Sequence, residues 1–144
     1  MTIHQISVFL ENRAGQLAEI TRILADAGID LRAISIAETA DYGVLRLIVD
    51  RPQDATSTLL GSGFVLSMTP VTVVSVPDEP GGLAPVLQAV AEGSIDIEYM
   101  YSLFTHIDGK AYMVFRVSDD ETFTALLASR GINVVSAQEL GIEA

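Results

Sequence analysis

The sequence has no cysteine, only two histidines, and eight basic residues against nineteen acidic ones. Each shortage removes a class of function. Without cysteine there is no disulfide framework and no thiolate metal site. His4 and His106 are solitary, and neither stands in a Ser/His/Asp or His-x-x-x-His arrangement, which argues against an enzyme. A net charge of −11 repels phosphate backbones and anionic lipid, so neither nucleic acid nor membrane is expected as a partner. No apolar run approaches the roughly 20 residues of a membrane helix. The opening TIHQIS lacks the basic-then-apolar pattern of a secretion signal, and the reading is a cytoplasmic protein. The glycines match neither a P-loop nor a dinucleotide fingerprint, and no cofactor is expected. Asp119, Asp120 and Glu121 sit at a predicted helix start, where negative side chains complement the macrodipole, so no metal site is assigned to them.

What is present is apolar residues and repetition. Of 144 residues, 49% are apolar and 19% charged, enough to build a packed core. The stretch NRAGQL (12–17) lies between a strand-like run and a helix-like run, and DEPGGL (78–83) repeats that setting. Gly15 and Gly81 are 66 apart, as are Leu17 and Leu83, Ala18 and Ala84, Ala25 and Ala91, Ile29 and Ile95, and Asp30 and Asp96. A register held through a whole helix marks an internal repeat.

Each copy reads as strand, helix, strand, strand, helix, strand, giving one module over 1–69 and a second over 70–144. The spacing predicts elements at 3–10, 16–27, 30–38, 43–50, 53–61 and 64–69, then at 70–76, 82–92, 95–105, 110–118, 120–129 and 132–137. Leu17, Ile20, Ile23, Leu24 and Ala27 form the apolar stripe of the first helix; Leu83, Val86, Leu87 and Val90 form that of its counterpart. The end of copy two realigns with copy one if Arg130 is an insertion. No flexible linker separates the copies: FVLSMTPVTVVSV (64–76) runs extended throughout, with Pro70 marking the junction. Such units are α+β, two tandem ferredoxin-like βαββαβ modules with antiparallel sheets and helices on one face. The strands LRAISIA and IDIEYMYSLF do not alternate apolar with polar, so both sheet faces should be covered.

The corner between first strand and first helix invites a small ligand. A helix start leaves amide N–H groups unpaired and carries roughly half a positive charge, which attracts a carboxylate. Gly15, Gly81 and Gly82 bare the backbone there, and Asn12 and Asp78, at matching positions, could accept from an α-ammonium group. Tyr99 and Tyr101, whose counterparts are Ala33 and Ser35, share one strand face and suit a pocket wall. Pro85 lacks an N–H, which predicts a delayed helix start in copy two.

The strand running into ENRAGQLAEIT, and VPDEPGGLAPVL in copy two, resemble the signature corner of ACT domains; FLEN, ADYGVLR and IEYMYS resemble the small stand-alone tandem members. Ala14 departs from the pattern, standing where Pro80 has the family's proline. The resemblance implies a non-catalytic regulatory sensor binding a free amino acid or similar metabolite. The implied ligand-binding set is Asn12, Arg13, Ala14, Gly15, Gln16 and Leu17 with Ser35 in copy one, and Asp78, Glu79, Pro80, Gly81, Gly82 and Leu83 with Tyr99 and Tyr101 in copy two. It also implies a homodimer and a separate target enzyme. The alternatives are a regulatory subunit acting mainly by protein contact and, through Arg13, an acylphosphatase-like hydrolase.

Overall fold

The computed structural model describes residues 2–11, 13–38 and 41–143. Its elements are β1 (Ile3–Glu11), α1 (Gln16–Asp26), β2 (Leu31–Glu38), β3 (Tyr42–Val49), α2 (Pro52–Gly61), β4 (Val65–Pro77), α3 (Ala84–Glu92), β5 (Ile97–Ile107), β6 (Lys110–Val117), α4 (Asp120–Ser129), β7 (Val134–Val135) and a 3-10 turn over Gln138–Leu140. All the pairings described are antiparallel. The chain resolves into two compact units, one of His4–Thr69 with Gly141–Ala144, the other of Pro70–Leu140 with Met1–Ile3. The 13-residue strand β4 supplies its first five residues to one and its remainder to the other.

In the first unit the strand order is β2-β3-β1-β4, the ferredoxin-like arrangement. Ile20 and Leu24, a helical turn apart on α1, pack with Ala55 and Leu59 of α2 against Ile6, Val8, Leu45 and Leu47 of the sheet. The stripe is narrower than the sequence pattern implied. Leu17 and Ala27 are exposed, and Gln16 takes a buried position at the helix start. Arg51 closes the other end of α1. Its guanidinium donates to the carbonyls of Ala27 (3.0 Å) and Gly28 (2.8 Å) and to Asp54 (3.0 Å), satisfying acceptors that a helix end leaves open.

The second unit repeats the plan as β7-β4-β6-β5, with Val86, Ala89, Val90, Phe123 and Leu127 packed on Val74, Val76, Phe115 and Val117. Phe115 and Phe123 meet at 5.4 Å in a tilted pair. Leu87, read from the sequence as part of the stripe, is exposed. Two further expectations change. The last strand is only Val134–Val135 rather than 132–137, because the chain leaves the sheet edge into the 3-10 turn. The insertion is not at Arg130. Glu11 and Pro77, 66 apart, pair with Tyr42 and Lys110, 68 apart. From there α2 and α4 stay 68 apart, with buried Leu59 matching Leu127, and the two extra residues lie in β5 between Ser102 and His106, where its pairing register shifts.

Both faces of each sheet are buried. Ala33 and Ile48 in the first unit, and Val71, Val73, Leu103 and Val114 in the second, lie on the face away from the helices and are covered as completely as the helix-facing core. Among the described residues no helix is long and apolar enough to cross a membrane.

Candidate functional site

At the first corner, β1 ends at Glu11, and the Arg13 N–H turns back to the Glu11 carbonyl at 2.8 Å. Gly15 then takes φ +85° and ψ −5°, the left-handed conformation that costs other residues energy, and α1 begins at Gln16. Glu19 donates to the Gly15 carbonyl at 3.0 Å, the first regular helical bond. Among the described residues no side chain caps the start, and the amides of Gln16, Leu17 and Ala18 find no acceptor. Asn12, expected to meet an ammonium group, lies outside the described residues.

Beside these amides opens a hollow of about 350 Å³. Leu10, Gly43 and Ile36 line it from the sheet, Ala14, Gly15, Gln16, Leu17 and Ala18 from the corner, and Glu11, Arg13 and Glu38 supply charge. A second hollow, of about 390 Å³, shares Leu10, Glu11, Arg13 and Gln16 with the first and is completed by Phe9, Glu19, Ser62, Gly63, Phe64 and Val65. Gln16 therefore lies between the two. It is only 6% exposed, and its buried Oε1 has no hydrogen-bond partner among the described residues. An unmet buried acceptor costs about 1–3 kcal/mol. Arg13 reaches Glu11 and Glu19 only at 3.8 Å each and is largely exposed, a loose contact that leaves its guanidinium available.

The second corner is built differently. The Asp78 amide donates to the Gly109 carbonyl at 2.8 Å, and the Asp78 carboxylate meets His106 Nδ1 at 3.2 Å across the hairpin. Gly82 donates to Glu79 (3.0 Å), Ala84 to Gly81 (3.3 Å) and Val86 to Leu83 (3.1 Å), so the first-turn amides of α3 are met by the chain itself, Pro85 having no N–H, while those of Glu79, Gly81 and Leu83 find no acceptor among the described residues. The helix α3 starts at Ala84, two residues later than the repeat register with Gln16 requires, as Pro85 in its first turn predicted. Gly82 answers to the fold: a β-carbon there would overlap the Pro77 carbonyl oxygen. A hollow of about 370 Å³ remains, lined by Glu79, Pro80, Gly81, Gly82 and Pro85 of the corner together with Pro77, Lys110 and Asn133.

Arg13, Ala14, Gly15, Gln16 and Leu17 are thus brought together at one hollow, and Glu79, Pro80, Gly81 and Gly82 at the other. Asp78 and Leu83 line neither; Leu83 packs on the core instead. Ser35 pairs across to Arg46, and Tyr99 stacks on Tyr101 at 6.4 Å; these three also line neither hollow. Sequence reasoning missed Ile36, Glu38 and Gly43 at the first corner and Lys110 and Asn133 at the second. The strand register would have found Gly43, which pairs with Leu10 on one side and Glu38 on the other. Among the described residues, no group of three or more acidic or histidine side chains is placed to hold a metal ion.

Two βαββαβ units in tandem, each with a glycine corner leading into its first helix, define a class of paired ferredoxin-like proteins. Residues 1–142 match the family model for the ACT domain pair, and the chain belongs to that family. Protein BT0572 from Bacteroides thetaiotaomicron is 38% identical, with a TM-score of 0.90 over 98% of this chain and 96% of that one. The regulatory subunit of aspartate kinase from Thermus thermophilus, in a ligand-free form, shares the fold at 20% identity and a TM-score of 0.63, covering 89% and 90% of the two chains. Its Thermus flavus counterpart gives 20% and 0.59, covering 91% and 93%. A search of curated proteins gave no match.

Proposed function

We propose that the protein is a non-catalytic regulatory sensor that binds one free amino acid at the first corner. The observation that carries this is the coincidence of three uncapped α1 amides, the hollow beside them, and the buried, unpaired Gln16 Oε1 at its wall. The amides suit the α-carboxylate, and the helix dipole adds to the attraction. Gln16 Oε1, with the Glu11 and Glu38 carboxylates at the same hollow, accepts from the α-ammonium. Two ends of opposite charge are thereby recognised by groups of opposite character, which a simple carboxylic acid or amine would satisfy only in part.

The second corner differs, since the first-turn amides of α3 and the Asp78 carboxylate are engaged within the chain and, among the described residues, no buried unpaired side-chain atom stands at its hollow. Binding is coupled to a separate target enzyme by a coupling free energy of the usual 1–3 kcal/mol, and the working form is a cytoplasmic homodimer. The aspartate kinase subunits with the same fold are consistent with that role. Isothermal titration of the whole chain against the twenty amino acids tests the proposal. The expected result is one site per chain with micromolar affinity, about −8 kcal/mol. Silence across all twenty, together with capture of an enzyme from lysate, would favour a subunit working by protein contact, with the exposed Phe9, Leu60 and Val65 as its surface.

A further inference from the structure

Gly43 has no structural need to be glycine. It lies inside β3, paired on both sides, and its φ is not positive. A β-carbon added there would meet the Ala37 carbonyl at 3.6 Å, Leu10 Cβ at 3.9 Å and Ile36 Cδ1 at 4.0 Å, all ordinary contacts. The second unit confirms that the position takes a side chain. Leu10 pairs with Gly43 as Val76 pairs with Ala111, and Ala111 packs on its core. Glycine weakens a strand interior and, where no bulge or turn demands it, marks close approach by something else. Here the space over Gly43 belongs to the first hollow, between Leu17, 40% exposed, and Ile36, 47% exposed.

We infer that Gly43 is the selectivity determinant of this hollow and that the amino acid bound there carries an aliphatic side chain, seated over Gly43 between Leu17 and Ile36. The inference rests on the amino-acid reading of the first corner. Leu10 and Ile36 flank the bare glycine, Leu17 lines the same hollow, and the half-exposed Leu17 and Ile36 gain cover from water when an apolar group lies against them. A charged side chain would be poorly served. Glu11, Glu38 and Arg13 bring both signs to the hollow and serve the ligand's α-groups, so no single sign remains for a terminal charge. The second corner has lost the same seat: Ser102 stands in the register of Ile36, paired with Met113 as Ile36 is paired with Leu45.

Titration calorimetry of the whole chain with glycine, alanine, valine, leucine, lysine and aspartate decides it. The wild type is expected to bind leucine or valine at least tenfold tighter than glycine, lysine or aspartate. Gly43→Ala should weaken leucine at least tenfold while holding alanine within threefold and leaving the melting temperature in place. Ile36→Ser, a change at an exposed wall, should weaken leucine to a similar degree and serves if Gly43→Ala does not fold. Preference for lysine or aspartate, or leucine affinity unmoved in either variant, would overturn the aliphatic seat while leaving amino-acid binding intact. Silence of the wild type toward all twenty amino acids would instead remove the underlying reading and this inference with it.

Discussion

The two strand-to-helix corners follow one backbone plan and part company at three matched positions. Where the first has Gln16, buried with an unmet acceptor, the second has Gly82, whose contact with the Pro77 carbonyl leaves no room for any side chain. Gly43 corresponds in position to Ala111, and Ile36 to Ser102. The first corner leaves the first-turn amides of α1 without acceptors among the described residues; the second meets those of α3 internally and begins its helix two residues late. A duplicated motif therefore need not be a duplicated site. One copy meets its first-turn helix amides within the chain, while the other leaves its own without acceptors among the described residues.

The sharpest way to break this comparison is to add one carbon to each corner. Gly82→Ala forces the backbone away from Pro77 and is expected to destabilise the protein by about 3 kcal/mol. Gly15→Ala meets open space and pays only for its left-handed φ, about 1 kcal/mol. Urea denaturation of both variants measures the difference, and equal losses would show that the second corner is no tighter than the first.

Next in size is Gln16→Leu, which removes the unmet acceptor. It should stabilise the fold by about 1 kcal/mol and weaken amino-acid binding at least tenfold, about 1.4 kcal/mol. A gain in stability joined to a loss of binding is not what a purely structural residue would give. Asp78→Ala, at the other corner, should leave binding unchanged within twofold; a large loss there would move the site to the second unit.

The smallest effect concerns matched helix starts. Asp119 caps α4, accepting from the Thr122 hydroxyl at 2.6 Å and the Thr122 amide at 3.1 Å, whereas its counterpart Arg51 caps nothing on α2 and serves the end of α1 instead. The Thr122 hydroxyl, then its amide, hold the Asp119 carboxyl below its ordinary value. A lowered folded pKa means stabilisation that is complete above the unfolded value of about 3.9 and disappears as pH falls through the folded one. Asp119→Ala should therefore lower the melting temperature at pH 7, and the gap to wild type should close below about pH 4. A gap that persists in acid would show that the cap does not depend on the carboxylate charge.

Much of this was legible in the chain. The repeat offset, the order of elements, the uninterrupted β4 and the late start of α3 all follow from local rules: apolar period, glycine at helix ends, proline without an N–H. What escaped was what lies across the sheet. Gly43 reads as the first residue of the strand predicted over 43–50, which it joins, but nothing local shows that it lines a cavity. Gln16 reads as a polar residue at a helix start, and only the placement of α1 over β1 makes it buried and unpaired. Asp78 reads as a free carboxylate, but the β5–β6 hairpin carries His106 to it.

The sequence by itself determined two ACT units and where their helices begin, because hydrogen-bond periodicity and turn chemistry act over a few residues at a time. Only the tertiary structure decided that the two beginnings differ in kind. Whether an amide or a carbonyl is left without a partner depends on which distant strand or hairpin is brought within three ångströms of it, and strand register, summed over the whole sheet, sets that.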